Sequence, residues 1–273
     1  LQSSDDVFSY DAWPRLRKSN RYGVGYIQTN KYLLEYDQNC DLVRSFAPLA
    51  RLGYTGSDYV VTISDSGLDP NSPWLIDSSE SFPYNTKNEM HRKVVRYETF
   101  LSGSETDRTD ASGHGTHVVT TLLGQSIDND YSSLYNGIAP NAKAYFIDLE
   151  NGIGDMYGDS RVSEHIQTMK SFDSHISSNS WGYEIPTTAQ NALYNRLAVN
   201  NPEILFVFAA GNEYSYVSIT SPAGAKNVLT VGALDSLDTT TLISNQRERV
   251  TFEVSINGIK DKSISCKSLN TFD

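Results

Sequence analysis

The chain has 273 residues, with 22 basic and 33 acidic side chains and a formal net charge of −11. That length suits one α/β domain with an appendage, and the acidity weighs against nucleic-acid or anionic-membrane partners, where basic stripes are expected. No apolar run approaches the roughly 20 residues of a membrane helix, and two cysteines, Cys40 and Cys266, are too few to define a disulfide framework.

Leu1-Gln2-Ser3-Ser4-Asp5-Asp6 has neither a start methionine nor a signal pattern, so a processed or cut product is expected. Residues 1–55 read as an irregular, aromatic-rich lead-in packed on the domain. Tyr59-Val60-Val61-Thr62-Ile63-Ser64 is a β-branched apolar run, a buried strand that delivers Asp65 at its C-terminal edge. From Asp69 to Asp110, Pro70, Pro73, Pro83, Asn85 and Gly103 punctuate a stretch that reads as loop, with His91 a structural residue in it. Ser112-Gly113-His114-Gly115-Thr116-His117 opens a helix expected to run to Leu123 and stop at Gly124. The polar loop Ser126–Tyr131 follows.

Lys143–Leu149 reads as a strand, and Ser160–Phe172 as a helix with Val162, Ile166 and Met169 on one stripe. His175–Asn179 is a short strand. Thr187–Val199 is helical, with Ala189, Leu193, Leu197 and Ala198 toward the core. The strands Ile204–Ala210 and Val228–Ala233 complete an alternation of strands and helices, which implies a mainly parallel sheet covered on both faces. The expected organisation is therefore the lead-in (1–55), a partial catalytic domain (56–235) and a β insertion or the start of an accessory β element (236–273). In that tail Val250, Phe252, Val254 and Ile256 alternate with polar residues before Asn257-Gly258, a hairpin signal.

The chemistry concentrates where strands end. Ligands in open α/β sheets sit at the carboxyl edge, and Asp65 stands there. So does Asn212, after the apolar run Ile204–Ala210. His114 lies between two glycines, and glycines let another backbone approach closely. A catalytic imidazole needs one nitrogen fixed by a partner and the other open to substrate. A metal pair of His114 and His117 is the rival reading, but HExxH is absent and no third ligand stands out. Gly152-Ile153-Gly154 could suggest a dinucleotide loop and a nucleotide-binding oxidoreductase. Its third glycine, Gly158, is at the wrong offset. There is no Gly-x-Ser-x-Gly elbow.

Five segments in order resemble the subtilase (subtilisin-like, peptidase S8) pattern: Val61–Asp69, Gly113–Val118, Gly137–Ala142, Asn179–Gly182 and Phe208–Glu213. The resemblance covers roughly residues 20 to 234. With Ser221–Val228 it is strongest to the alkaline serine proteases that carry extra β domains. It implies a three-layer α/β fold and a serine endopeptidase working through an Asp-His-Ser triad and an acyl-enzyme. It implies Asp65 as the residue that orients the imidazole, His114 as general base and acid, and Asn212 as oxyanion donor. Gly152-Ile153-Gly154 would form one peptide rail and Ser180-Trp181-Gly182 the other; Ala209, Ala210 and Gly211 would border an apolar specificity pocket. Trp181 could equally be a core aromatic, and Gly211-Asn212 simply a turn.

The resemblance further implies no cofactor for the chemistry, a protein or peptide substrate, a propeptide, and a secreted or secretory/lysosomal-type location. Structural calcium often lies near the loop after the histidine helix in subtilases, which makes Asp128, Asn129 and Asp130 candidate ligands; a plain solvated loop is the alternative. The departure is the nucleophile. No Gly-Thr-Ser-x-Ala segment occurs. The fold is therefore expected to be truncated before its serine, with a hairpin-rich tail, and the fragment to be inactive alone. The alternative is a catalytically dead subtilase that binds peptides or partners.

Overall fold

The computed structural model describes residues 34–36, 42–45, 48–99, 110–127, 135–151, 155–183, 187–212, 219–233, 247–256 and 259–268. In chain order the elements are β1 (Leu34–Tyr36), β2 (Leu42–Ser45), α1 (Pro48–Arg51), β3 (Val60–Asp65), β4 (Val94–Glu98), α2 (His114–Leu123), β5 (Lys143–Asp148) and α3 (Val162–Ser171). They continue with β6 (Ile176–Asn179), α4 (Thr188–Asn200), β7 (Leu205–Ala209), β8 (Leu229–Val231), β9 (Arg247–Ile256) and β10 (Ile259–Ser268). Six strands form one sheet in the order β4-β5-β3-β6-β7-β8, and every pairing in it is parallel.

Residues alternate between the faces of a strand, and that alternation aims the site. Val61 and Ile63 of β3 pack on one face with Ala144 and Phe146 of β5 and Val119 and Leu123 of α2. Asp65 falls on the same face by the two-residue period, so it points toward the helix that begins with His114. The opposite face carries Tyr145, Ile147, Phe206 and Phe208, covered by Val162, Ile166 and Met169 of α3 and Tyr194 of α4. Helix, sheet and helix make a three-layer α/β fold. Beyond the reach of α2, its face of the sheet carries Ile176, Leu205, Leu229 and Val231, all exposed. Among the described residues no helix covers them.

Three expectations need correction. The stretch 69–110 is not loop throughout, because it contains β4. Val94, Val95 and Tyr97 are buried there, but a register shift between Val94 and Arg96 breaks the alternation that would betray an edge strand. Residues 1–55 are not wholly irregular either: β1 and β2 pair antiparallel. Strands of three and four residues are too short to show a period. In α4 the buried residue is Tyr194, with Leu193, Leu197 and Ala198 partly buried against the same core and Ala189 exposed. The Tyr194 ring packs edge-on against Phe206 and Phe208 and sets the rotation of the helix. Ala189 lies about 140° away around it.

Around β4 two buried polar residues do structural work. His91 Nδ1 accepts the N–H groups of Lys93 (3.2 Å) and Val94 (3.0 Å), and burial lowers its pKa. Lys93 is 0% exposed, and its ammonium donates to the carbonyls of Pro140 (2.6 Å) and Ala142 (2.8 Å). Burial, with Arg92 and Lys143 nearby, pushes the Lys93 pKa down to about 7. At the tail, β9 and β10 pair antiparallel with Ile256 opposite Ile259, the two-residue connection that Asn257-Gly258 announces.

Candidate active site

Asp65 ends β3 and is 0% exposed. Its Oδ1 accepts the Ser66 N–H at 2.8 Å and the Nδ1–H of His114 at 2.6 Å. With Nδ1 donating to the carboxylate, Nε2 is the nitrogen left to accept a proton. The imidazole is half exposed. The hydrogen bond to Asp65 raises the His114 pKa; burial opposes this, and the charges of Asp65 and Asp110 add to it.

Gly115 is what lets α2 start so close to β3. A Cβ there would overlap the carbonyl oxygen of Gly67 and crowd the nitrogens of Gly67 and Ser66. The first N–H groups of a helix have no partners within it. Here three side chains supply them: Ser112 Oγ accepts from His114 (3.1 Å), Ser66 Oγ from Gly115 (3.0 Å) and Asp110 Oδ2 from Thr116 (2.8 Å). The Ser66 hydroxyl in turn donates to Asp110 Oδ1 at 2.8 Å and accepts from Ser112 Oγ at 2.8 Å. Sequence reasoning missed Asp110 and Ser66. A carboxylate four residues before the histidine, just ahead of a helix, was the available signal.

His117 is exposed on α2, whose buried face is formed by Gly115, Val119, Thr120 and Leu123. His165 is buried with its Nδ1 2.8 Å from Asp159 Oδ2, and exposed His175 lies 3.0 Å from Asp173. Among the described residues no group of three or more His, Cys, Asp or Glu could hold a metal ion.

Because the sheet is parallel, the segments after β6 and β7 emerge at the same edge as Asp65. Ser180-Trp181-Gly182 follows β6; Ala209 ends β7, and Ala210, Gly211 and exposed Asn212 follow. The indole of Trp181 is anchored in the core: Nε1–H donates to Ser64 Oγ at 3.0 Å, and the ring packs edge-on against Phe208. A third segment, at Thr220 and Ser221, closes this border. The Thr220 N–H donates to the Ala210 carbonyl at 3.0 Å, and the Tyr183 N–H to the Ser221 carbonyl at 2.8 Å. A Cβ on Gly182 would overlap Thr220 Oγ1, so glycine is what admits that segment.

Gly152, Ile153, Gly154, Asp128, Asn129, Asp130 and Glu213 lie outside the described residues. On either side of the Gly152–Gly154 segment the chain is antiparallel, with Glu150 bridged to Met156 and the Asn151 N–H donating to the Asp155 carbonyl at 3.0 Å.

The subtilase family model matches residues 56–272. The serine protease/ABC transporter B family protein tagD of Dictyostelium discoideum is 33% identical over 187 residues, 65% of this chain and 10% of that protein. Subtilisin E of Bacillus subtilis is 28% identical over 231 residues, 82% of this chain and 52% of the relative. The chain thus spans a small fraction of the Dictyostelium protein and about half of subtilisin E. The structure of sphericase matches with a TM-score of 0.53 and 22% identity, covering 90% of this chain and 66% of that one; that likeness is one of fold.

Proposed function

The chain belongs to the subtilase family, and from that premise we propose that it carries the acid–base half of a serine endopeptidase site. The carrying observation is the 2.6 Å contact of Asp65 with His114 at the carboxyl edge of the sheet. His114 Nε2 takes the proton from a serine hydroxyl as that oxygen attacks the peptide carbonyl, and then gives it to the leaving amine. Water hydrolyses the acyl-enzyme by the same route in reverse. Asp65 keeps the imidazole in the tautomer with Nδ1 protonated and stabilises the imidazolium that forms. Asn212 donates to the tetrahedral oxyanion; in subtilisin itself the loss of one such donor costs about 2.7–4 kcal/mol. The segments 180–182 and 152–154 grip an extended protein or peptide substrate by backbone hydrogen bonds, and Ala209, Ala210 and Gly211 leave room for a large apolar side chain before the cleaved bond. The chemistry needs no organic or redox cofactor. A propeptide and a secretory route belong to the same proposal.

The nucleophile is proposed to lie outside this chain. No Gly-Thr-Ser-x-Ala segment is present, and the serines bonded around His114, Ser66 and Ser112, serve the start of α2. Among the described residues nothing covers the apolar Ile176, Leu205, Leu229 and Val231, which supports a further covering element. The missing motif also favours a second reading, a peptide-binding subtilase without catalysis. A serine-directed fluorophosphonate probe separates them. Residues 1–273 should not be labelled, and the full-length gene product should be labelled unless His114→Ala is introduced. An unlabelled full-length product supports the binding protein. Stoichiometric labelling of residues 1–273, lost in His114→Ala, defeats the placement of the serine.

A further inference from the structure

We propose that Asp110 is a positioning residue for His114: its carboxylate clamps the first turn of α2 against β3 and so fixes the reach of the imidazole to Asp65. This rests on the reading of His114 as the base. The argument begins from unpaired donors. His114 is the first residue of α2, where helix ends fray unless outside groups take their N–H bonds. Glycine at 113 supplies no side-chain cap. The two oxygens of Asp110 perform separate tasks. Oδ2 takes the Thr116 N–H at 2.8 Å, within the helix. Oδ1 takes the Ser66 hydroxyl at 2.8 Å, and Ser66 follows Asp65 directly on the chain. The Ser66 oxygen also accepts the Gly115 N–H at 3.0 Å. One carboxylate therefore ties the residue after Asp65 to the residues just beyond His114, and the 2.6 Å contact is spanned on both sides.

Asp110 also acts through charge. Two carboxylates favour the imidazolium, Asp65 directly and Asp110 from the helix start, and both raise the His114 pKa, Asp65 the more. A negative group at a helix N-terminus is itself stabilised by the helix dipole. The other charged groups nearby are oriented differently. Asp69, in the turn after β3, meets α2 through its backbone N–H on Thr116 Oγ1 (2.8 Å), while its carboxylate takes the Asn71 N–H (2.9 Å). His117, on α2 itself, is exposed.

The test needs no turnover. In residues 1–273 with labelled histidine, NMR reads the titration midpoint of His114 and the solvent exchange of its hydrogen-bonded Nδ1 proton. The wild-type midpoint should lie above the ordinary 6.5. Asp110→Asn keeps the shape and one acceptor but removes the charge. It should lower the midpoint and speed the exchange; Asp110→Glu should restore both, and Asp69→Asn should change neither. A folded Asp110→Asn protein with wild-type midpoint and exchange overturns the proposal, even if its Tm falls, since a purely structural role predicts that pattern. If Asp110→Asn does not fold, Ser66→Ala decides: faster Nδ1 exchange supports the clamp and unchanged exchange overturns it. A wild-type protein with no protected Nδ1 proton defeats the Asp65–His114 pairing itself, and the clamp with it.

Discussion

Replacing Gly115 with alanine probes how closely His114 must be seated on the strand that carries Asp65. The added Cβ overlaps the Gly67 carbonyl oxygen and sits 3.1 Å from the Gly67 nitrogen and 3.2 Å from that of Ser66. All three are backbone atoms, so no rotamer can yield. The start of α2 must retreat by roughly 1 Å to regain ordinary van der Waals separation. That retreat stretches the three hydrogen bonds from Ser112, Ser66 and Asp110, each contributing about 0.5–1.5 kcal/mol. Alanine returns at most about 1 kcal/mol of helix propensity, so the clash wins. The net loss should be about 1–2 kcal/mol, or a Tm lower by roughly 2–8 °C at about 2–4 °C per kcal/mol. Urea unfolding followed by circular dichroism measures the first quantity, and exchange of the His114 Nδ1 proton measures the displacement. An alanine variant with wild-type stability and an equally protected proton would refute the reasoning.

Phe208→Ala removes a fully buried ring packed edge-on against Trp181 and Tyr194; denaturant titration should show a loss of about 3–5 kcal/mol. Lys93 has a folded-state pKa of about 7 against an ordinary 10.5, so the unfolded chain binds more protons between those values. Its contribution to stability should rise with pH over that window, and Lys93→Met should flatten the rise in urea midpoints measured from pH 7 to 10. His114 runs the other way. Its raised pKa gives stability that is fully present below 6.5 and lost as pH rises through the folded value. Asp65→Asn should remove that dependence and lower the His114 midpoint by NMR; an unchanged midpoint would show that the carboxylate does not act on the ring.

The parts of the site legible in the sequence are those whose signal is local. Asp65 could be read because it ends a continuous apolar run, and β3 supplies that run. His114 could be read from its glycines, and Gly115 proves necessary for a backbone contact. The place of Asn212 just past β7, at the edge where Asp65 stands, follows in the same way from the run before it. Asp110 carried a local signal only for the helix start, since its bond to Ser66 exists only when the fold brings the two together across 44 positions. Thr220 likewise becomes a border residue only through its bond to Ala210. In the fold, β4 was hidden by its bulge and by surrounding prolines. Tyr194 was overlooked because smaller aliphatic residues around it fitted a helical stripe, whereas its size decides which face of α4 turns inward.

Peptide hydrolysis by the full-length gene product tests the central claim most directly, with wild type and His114→Ala compared on one chromogenic substrate. The account predicts a wild-type rate that collapses in His114→Ala, by a factor on the order of 10⁶, the scale seen when subtilisin loses its histidine. Hydrolysis by His114→Ala at the wild-type rate would contradict the account.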